Sequence, residues 1–207
     1  MSASKINRPR NTAKIEFIEK KSVFIGFSTF VENEEQALEI IKQKKREYSD
    51  ATHNVYAYVI GDNIARYSDD NEPQGTAGMP VLSAIRMSGI TDVLVVVTRY
   101  FGGILLGAGG LVRAYSTAAS MALTEGGIKV YEQYNVYKLK INYSDYGKIA
   151  TELSSIDAII DNTDFADDVT IDFAIKSDIC DRFEKKIIDM FAGRVVPRLI
   201  EVRIDTK

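Results

Sequence analysis

Between Arg99 and Arg113 the chain reads Arg-Tyr-Phe-Gly-Gly-Ile-Leu-Leu-Gly-Ala-Gly-Gly-Leu-Val-Arg, five glycines and two arginines between an apolar strand pattern and a helical one. Glycine-exposed amides and a guanidinium at a helix start attract anions, because unpaired N–H groups and the helix dipole are both concentrated there. Phosphate is therefore the first ligand to consider, with Arg99, Tyr100, Gly102, Gly103, Gly107, Gly109, Gly110 and Arg113 as candidate binding residues. The same glycines also serve positive φ angles and close backbone packing without any ligand. The known nucleotide loops do not fit. Val112 stands where a dinucleotide fingerprint needs its third glycine, and no Gly-Lys-Ser/Thr follows as in a P-loop.

A second cluster, Tyr67-Ser-Asp-Asp-Asn-Glu-Pro-Gln-Gly-Thr-Ala-Gly-Met-Pro80, gathers Asp69, Asp70, Glu72 and Gln74 just ahead of a helix. Its three carboxylates are spaced closely enough to share magnesium, or to cap the helix through its dipole. His53 is the only imidazole and the one side chain that titrates near neutrality without a large shift, so it is a candidate base or pocket residue. Cys180 has no second thiol or histidine near it in sequence, which argues against a nucleophile. No Gly-X-Ser-X-Gly elbow is present.

Composition narrows the classes. One cysteine excludes an intramolecular disulfide, and one histidine leaves no Cys/His set for zinc, so no cofactor is expected. No apolar run approaches a membrane span and the N-terminus lacks a signal-peptide core, which points to the cytoplasm and away from membranes. Residues 1–132 carry 15 Lys plus Arg against 15 Asp plus Glu, and residues 133–207 carry 11 against 14, which accounts for the net charge of −3. Neither half is a general basic binder, so nucleic-acid contact needs a local patch.

These residues must be held by surrounding elements. Asp92–Thr98 is rich in β-branched residues and reads as a strand buried on both faces. Strands are also expected over Lys14–Glu19 and Val23–Val31, and a hairpin over Val55–Ile60 and Ile64–Tyr67. Helices are expected over Asn33–Glu47, Thr76–Ser88 and Leu111–Leu123; the basic run Lys42–Arg46 suits the end of the first. Further on, Val136–Tyr143 alternates polar with apolar, Asp145 opens a helix, and Ala158–Phe165 and Val169–Ile175 form a hairpin. A helix from Ser177 to Gly193 and a strand over Leu199–Ile204 complete a βαββαβ order, the ferredoxin-like pattern.

Asp69–Gly78, Val95–Gly103 and Leu106–Tyr115, preceded by Ala51–Tyr58, together resemble the signature of the YigZ/IMPACT family. The resemblance covers Ile15 to Tyr131, and the remainder resembles the small C-terminal domain of bacterial members. Asn71 stands where the family has glycine, and Leu105 where lysine is frequent. The resemblance implies an α+β chain of two domains. Residues 1–132 would resemble the second domain of ribosomal protein S5, a sheet with helices on one face, and 133–207 would be ferredoxin-like. It further implies a link to translation, since the eukaryotic relative regulates initiation in the amino-acid-starvation kinase pathway. The missing P-loop lysine and the lack of an evident nucleophile favour a non-enzymatic regulator. Such a regulator would bind a protein, structured RNA or the ribosome through the loops Asp69–Gly78 and Arg99–Arg113, with His53 beside them. The alternative is a small phosphate-handling enzyme using the same loops with magnesium.

Overall fold

A computed structural model describes residues 5–206 and divides into two units, one spanning Ile6–Val130 and the other running from Tyr131 onward. The division falls inside a long strand, β7 (Ile128–Ile141), which is why no proline- or serine-rich linker marks it in the sequence.

The first unit contains β1 (Ile6–Pro9), β2 (Ala13–Glu19), β3 (Ser22–Phe30), α1 (Glu34–Glu47), β4 (His53–Ile60), β5 (Ile64–Ser68), α2 (Gly78–Ser88), β6 (Val93–Tyr100) and α3 (Ala108–Gly126). Its sheet has the order β2-β3-β6-β4-β5, with every neighbouring pair antiparallel. β6 lies in the middle and is buried from Val93 to Arg99, as its β-branched run requires. Alternation divides its side chains between two faces. Val93, Val95 and Val97, with Val55 and Ala57 of β4, pack under α2 and α3. Leu94 and Val96, with Tyr58 and Ile60, pack under α1. Helices therefore cover both faces, not the one face that the family resemblance implied: β4 and β6 are apolar at both parities, and each face needs a cover.

The helices start and stop where local chemistry dictates. Asn33 caps α1 by accepting from Gln36 N at 2.9 Å, and the charges at its two ends match its dipole. The basic residues of its last turn face carboxylates of this unit, Lys44 with Glu47, Lys45 with Asp70 and Arg46 with Glu39. α3 lies close on β3 because Gly26 has no side chain: a Cβ there would stand 2.7 Å from the Ala118 carbonyl oxygen. β1 was not legible in the sequence; it has four residues, and one isolated bridge links Asn7 to Ile90.

The second unit comprises β7, α4 (Tyr143–Ser155), β8 (Ile159–Phe165), β9 (Val169–Lys176), α5 (Cys180–Met190) and β10 (Arg198–Asp205). β7–β10 run in the antiparallel order β10-β7-β9-β8, so the two βαβ halves interleave as the ferredoxin-like pattern demands, and β1 pairs with the long β7 as the fifth strand of this sheet. Tyr137, Leu139, Ile171 and Phe173 meet Ile149, Leu153, Phe183 and Ile187 of the helices in one core. Asp145, expected to cap the first helix, instead lies inside its first turn; Asn142 occupies the cap position, and the carboxylate still suits the helix start. Burial pushes the Cys180 thiol up, which fits an inert core residue. Among the described residues no helix is long and apolar enough to cross a membrane.

Candidate functional site

Arg99 is the key to the site's geometry. It continues the β6 face that carries Val95 and Val97 and pairs in register with His53 of β4, so its side chain is directed into the protein. Only 5% of that side chain is exposed, and a buried guanidinium needs a carboxylate. Glu72, 3% exposed, supplies it: Arg99 Nη1 donates to Glu72 Oε1 at 2.6 Å, and the Tyr115 hydroxyl donates to the same oxygen at 2.7 Å. Arg99 Nη2 donates to Ser22 Oγ at 3.3 Å, and the Phe24 and Phe101 rings lie against the guanidinium. Burial, with the hydrogen bond to Glu72 and its charge adding to it, holds the Tyr115 phenol far above its ordinary range, so it remains a neutral donor. One loop is thus tied to the other through a buried ion pair.

The remaining acidic residues serve different ends. Asp69 accepts from the amides of Gly75, Ala77 and Gly78 at 2.9, 3.1 and 2.8 Å, and so supplies the start of α2 with the cap that Ala77 cannot provide. Asp70 ties the loop to β4 and α1: one oxygen accepts from Asn54 N at 2.6 Å and the other faces the Lys45 ammonium. Asp70 and Asn71 have φ of +44° and +68°, a left-handed backbone that aspartate and asparagine tolerate better than most residues. The three carboxylates therefore do not converge, and among the described residues no group of three or more His, Cys, Asp and Glu could hold a metal ion. Asp69, Asp70 and Glu72 are thus not placed to share one magnesium ion as the sequence spacing allowed, because each already has its own internal partner.

His53 donates from Nδ1 to the Asp70 carbonyl at 2.8 Å, since a carbonyl only accepts. That leaves Nε2 directed toward Glu72, 3.7 Å from Oε1. Beside this group lies a cavity of about 420 Å³, lined by His53, Glu72 and Arg99 at its base and by Phe101, Leu105 and the start of α3 at its rim. Leu105 is 82% exposed, and Phe101 and Ile104 are also exposed.

Of the residues singled out in the sequence, His53, Glu72, Arg99 and Gly107 line this cavity. Asp69, Asp70, Gln74, Tyr100, Gly102, Gly103, Gly109, Gly110 and Arg113 do not. Tyr100 points to the opposite side of the sheet, where its hydroxyl donates to Asp50 at 2.9 Å. Gly102 serves close packing, because a Cβ there would stand 2.1 Å from the Lys21 carbonyl oxygen. Arg113 is exposed, forms no hydrogen bond or ion pair among the described residues, and holds its guanidinium near Gly109. Sequence reasoning missed Tyr115 and Ser22. Tyr115 alone left a signal: it is the one aromatic side chain in a helix rich in small residues, one position after Ala114 on the buried side.

Residues 20–123 match the Impact N-terminal domain, and residues 139–194 match a domain of unknown function, DUF1949. The sheet with its two loops and the ferredoxin-like unit thus correspond to two family models matched in tandem along one chain. The chain belongs to the IMPACT family. It is 35% identical to IMPACT family member YvyE of Bacillus subtilis (strain 168) over 86% of this chain and 83% of that protein. It is 34% identical to IMPACT family member YigZ of Escherichia coli (strain K12) over 88% of this chain and 91% of that one. Protein IMPACT of Danio rerio is 29% identical over 52% of this chain and 36% of its own length. A solved structure titled as the crystal structure of an hypothetical protein shares 31% identity and a TM-score of 0.62, covering 97% of this chain and 99% of that one.

Proposed function

We propose that this chain is a translation-associated regulator that acts by binding, with the cavity between the two loops as its contact for a protein partner. The IMPACT relatives of eukaryotes, which regulate translation, support the first half of this reading. The observation that carries the second half is the buried Glu72–Arg99 pair beneath a cavity whose lining includes the exposed apolar side chains Phe101 and Leu105. Exposed large apolar side chains grouped at a cavity mouth mark contact sites for other macromolecules. Leu105 favours a protein over nucleic acid, because an exposed apolar side chain at the cavity gives a phosphate backbone nothing to bind.

A second occupant, structured RNA or another anion, is supported by the free guanidinium of Arg113 beside the uncapped start of α3. An enzyme is less well supported: the carboxylates it would need are engaged elsewhere. A cytoplasmic setting belongs to the same reading.

The test is affinity capture of the full chain from cells under amino-acid starvation, with proteins, ribosomes and RNA identified in parallel for wild type, Leu105→Asp and Arg113→Ala. A discrete translation component retained by wild type and lost with Leu105→Asp is the expected result. Equal recovery by both variants, or an eluate holding only a phosphate metabolite, would overturn the reading.

A further inference from the structure

β10 forms one edge of the C-terminal sheet; it pairs with β7 along one side, and among the described residues no strand pairs with the other. Such an edge presents a row of unpaired N–H and C=O groups that can template a further strand. Its apolar side chains Leu199, Ile200, Val202 and Ile204 are each 46–50% exposed. A register irregularity between Leu199 and Glu201 drops Ile200 out of the alternation. Arg198, Glu201, Arg203 and Asp205 consequently share one face of the strand, opposite Lys138, Val136, Tyr134 and Glu132 of β7, while Leu199, Val202 and Ile204 share the other.

This arrangement is self-complementary. When β10 is laid antiparallel against a second β10 with Val202 on the two-fold axis, Glu201 meets the partner's Arg203 and Arg198 meets the partner's Asp205. On the other face Leu199 meets the partner's Ile204, and Val202 meets itself. Every position on one face is then an opposite-charge pair and every position on the other an apolar pair, the two kinds of cross-strand contact that stabilise sheets. Arg203 already holds Asp161 through two bonds of 2.9 Å and faces Asp205 from Nε at 3.3 Å, which fixes its guanidinium on that face and leaves the second carboxylate oxygen of Asp205 for the partner's Arg198. Arg198 and Glu201, by contrast, have no ion-pair partner among the described residues. The opposite edge, β8, offers no such match: it carries Asp161 and Asp164 and no cation, so two copies would bring like charges together.

We propose that two copies of this chain associate through β10 as an isologous dimer, joining their C-terminal sheets into one continuous sheet. The test uses the full chain, by sedimentation across a concentration series and by disulfide trapping. Val202→Cys places its thiol against itself, at a cross-strand Cα distance of roughly 4.5–5.5 Å that a disulfide can bridge. Leu199→Cys faces the partner's Ile204 instead and is the control; native Cys180 is buried. The wild type should dimerise reversibly, Glu201→Lys should weaken the dimer about tenfold, and V202C alone should oxidise to a covalent dimer. A wild type monomeric throughout, open-ended oligomers, an E201K dimer as tight as wild type, or L199C cross-linking as readily as V202C would each overturn the proposal.

Discussion

The two helices that meet at the loop cluster begin in opposite ways. α2 starts under Asp69, whose carboxylate accepts from three backbone amides. α3 starts at Gly107, with a φ of +70°, and no side chain bonds its first amides. Both starts carry the same partial positive charge, yet only one is answered by the chain itself. A saturated helix start is part of the scaffold. An open start beside the cavity mouth, with Arg113 adding a full positive charge nearby, is where we propose that an anionic group of a partner docks.

The largest expected effect breaks the frame that holds both starts together. Glu72→Ala leaves Arg99 buried without its carboxylate and should destabilise the chain by about 3–5 kcal/mol, measured by urea unfolding. A loss under 1 kcal/mol would mean that water replaces Glu72 and that the pair does not lock the loops. Tyr115→Phe keeps the ion pair and removes one donor to its charged oxygen, for an expected loss of about 1.5–3 kcal/mol. Asp69→Ala removes the cap of α2 alone and should cost about 1–2 kcal/mol. If thermal unfolding shows Asp69→Ala to be neutral, the contrast between the two helix starts has no energetic content.

The sequence disclosed this contrast only in part. The β-branched run of β6 and the small residues of α3 made both elements legible, because each pattern reports burial directly. Asp69, Asp70 and Glu72 were visible as a group, but their separate duties were not: whether neighbouring carboxylates converge or diverge depends on the left-handed turn at Asp70 and Asn71. Arg99 looked like a ligand-binding cation because a strand pattern does not show what lies across the sheet. Its partner is 27 residues away, and only the register of β4, β6 and the loop brings them together. Helices on both faces were obscured for a related reason: a continuous apolar run states that two faces are buried, but not by what.

Arg113 should have the smallest effect on stability and the clearest effect on binding. A cation in the early turns of a helix opposes the dipole, and this one gains no ion pair among the described residues. Arg113→Ala should therefore leave stability unchanged or raise it by a few tenths of a kcal/mol. The same substitution should weaken binding of phosphate, nucleotide or ribosomal RNA by roughly 1.5–3 kcal/mol if an anion docks at the open start of α3, through loss of a charge-assisted hydrogen bond. Titrating wild type and variant with each ligand while following thermal stability separates the two quantities. Unchanged affinity with a clear drop in stability would make Arg113 a brace for the Arg99–Arg113 loop, and the open start of α3 would then be as structural as that of α2. Unchanged stability with lost affinity would place the anion at α3 and leave Asp69 as the reason it does not bind at α2, since a carboxylate already occupies that position.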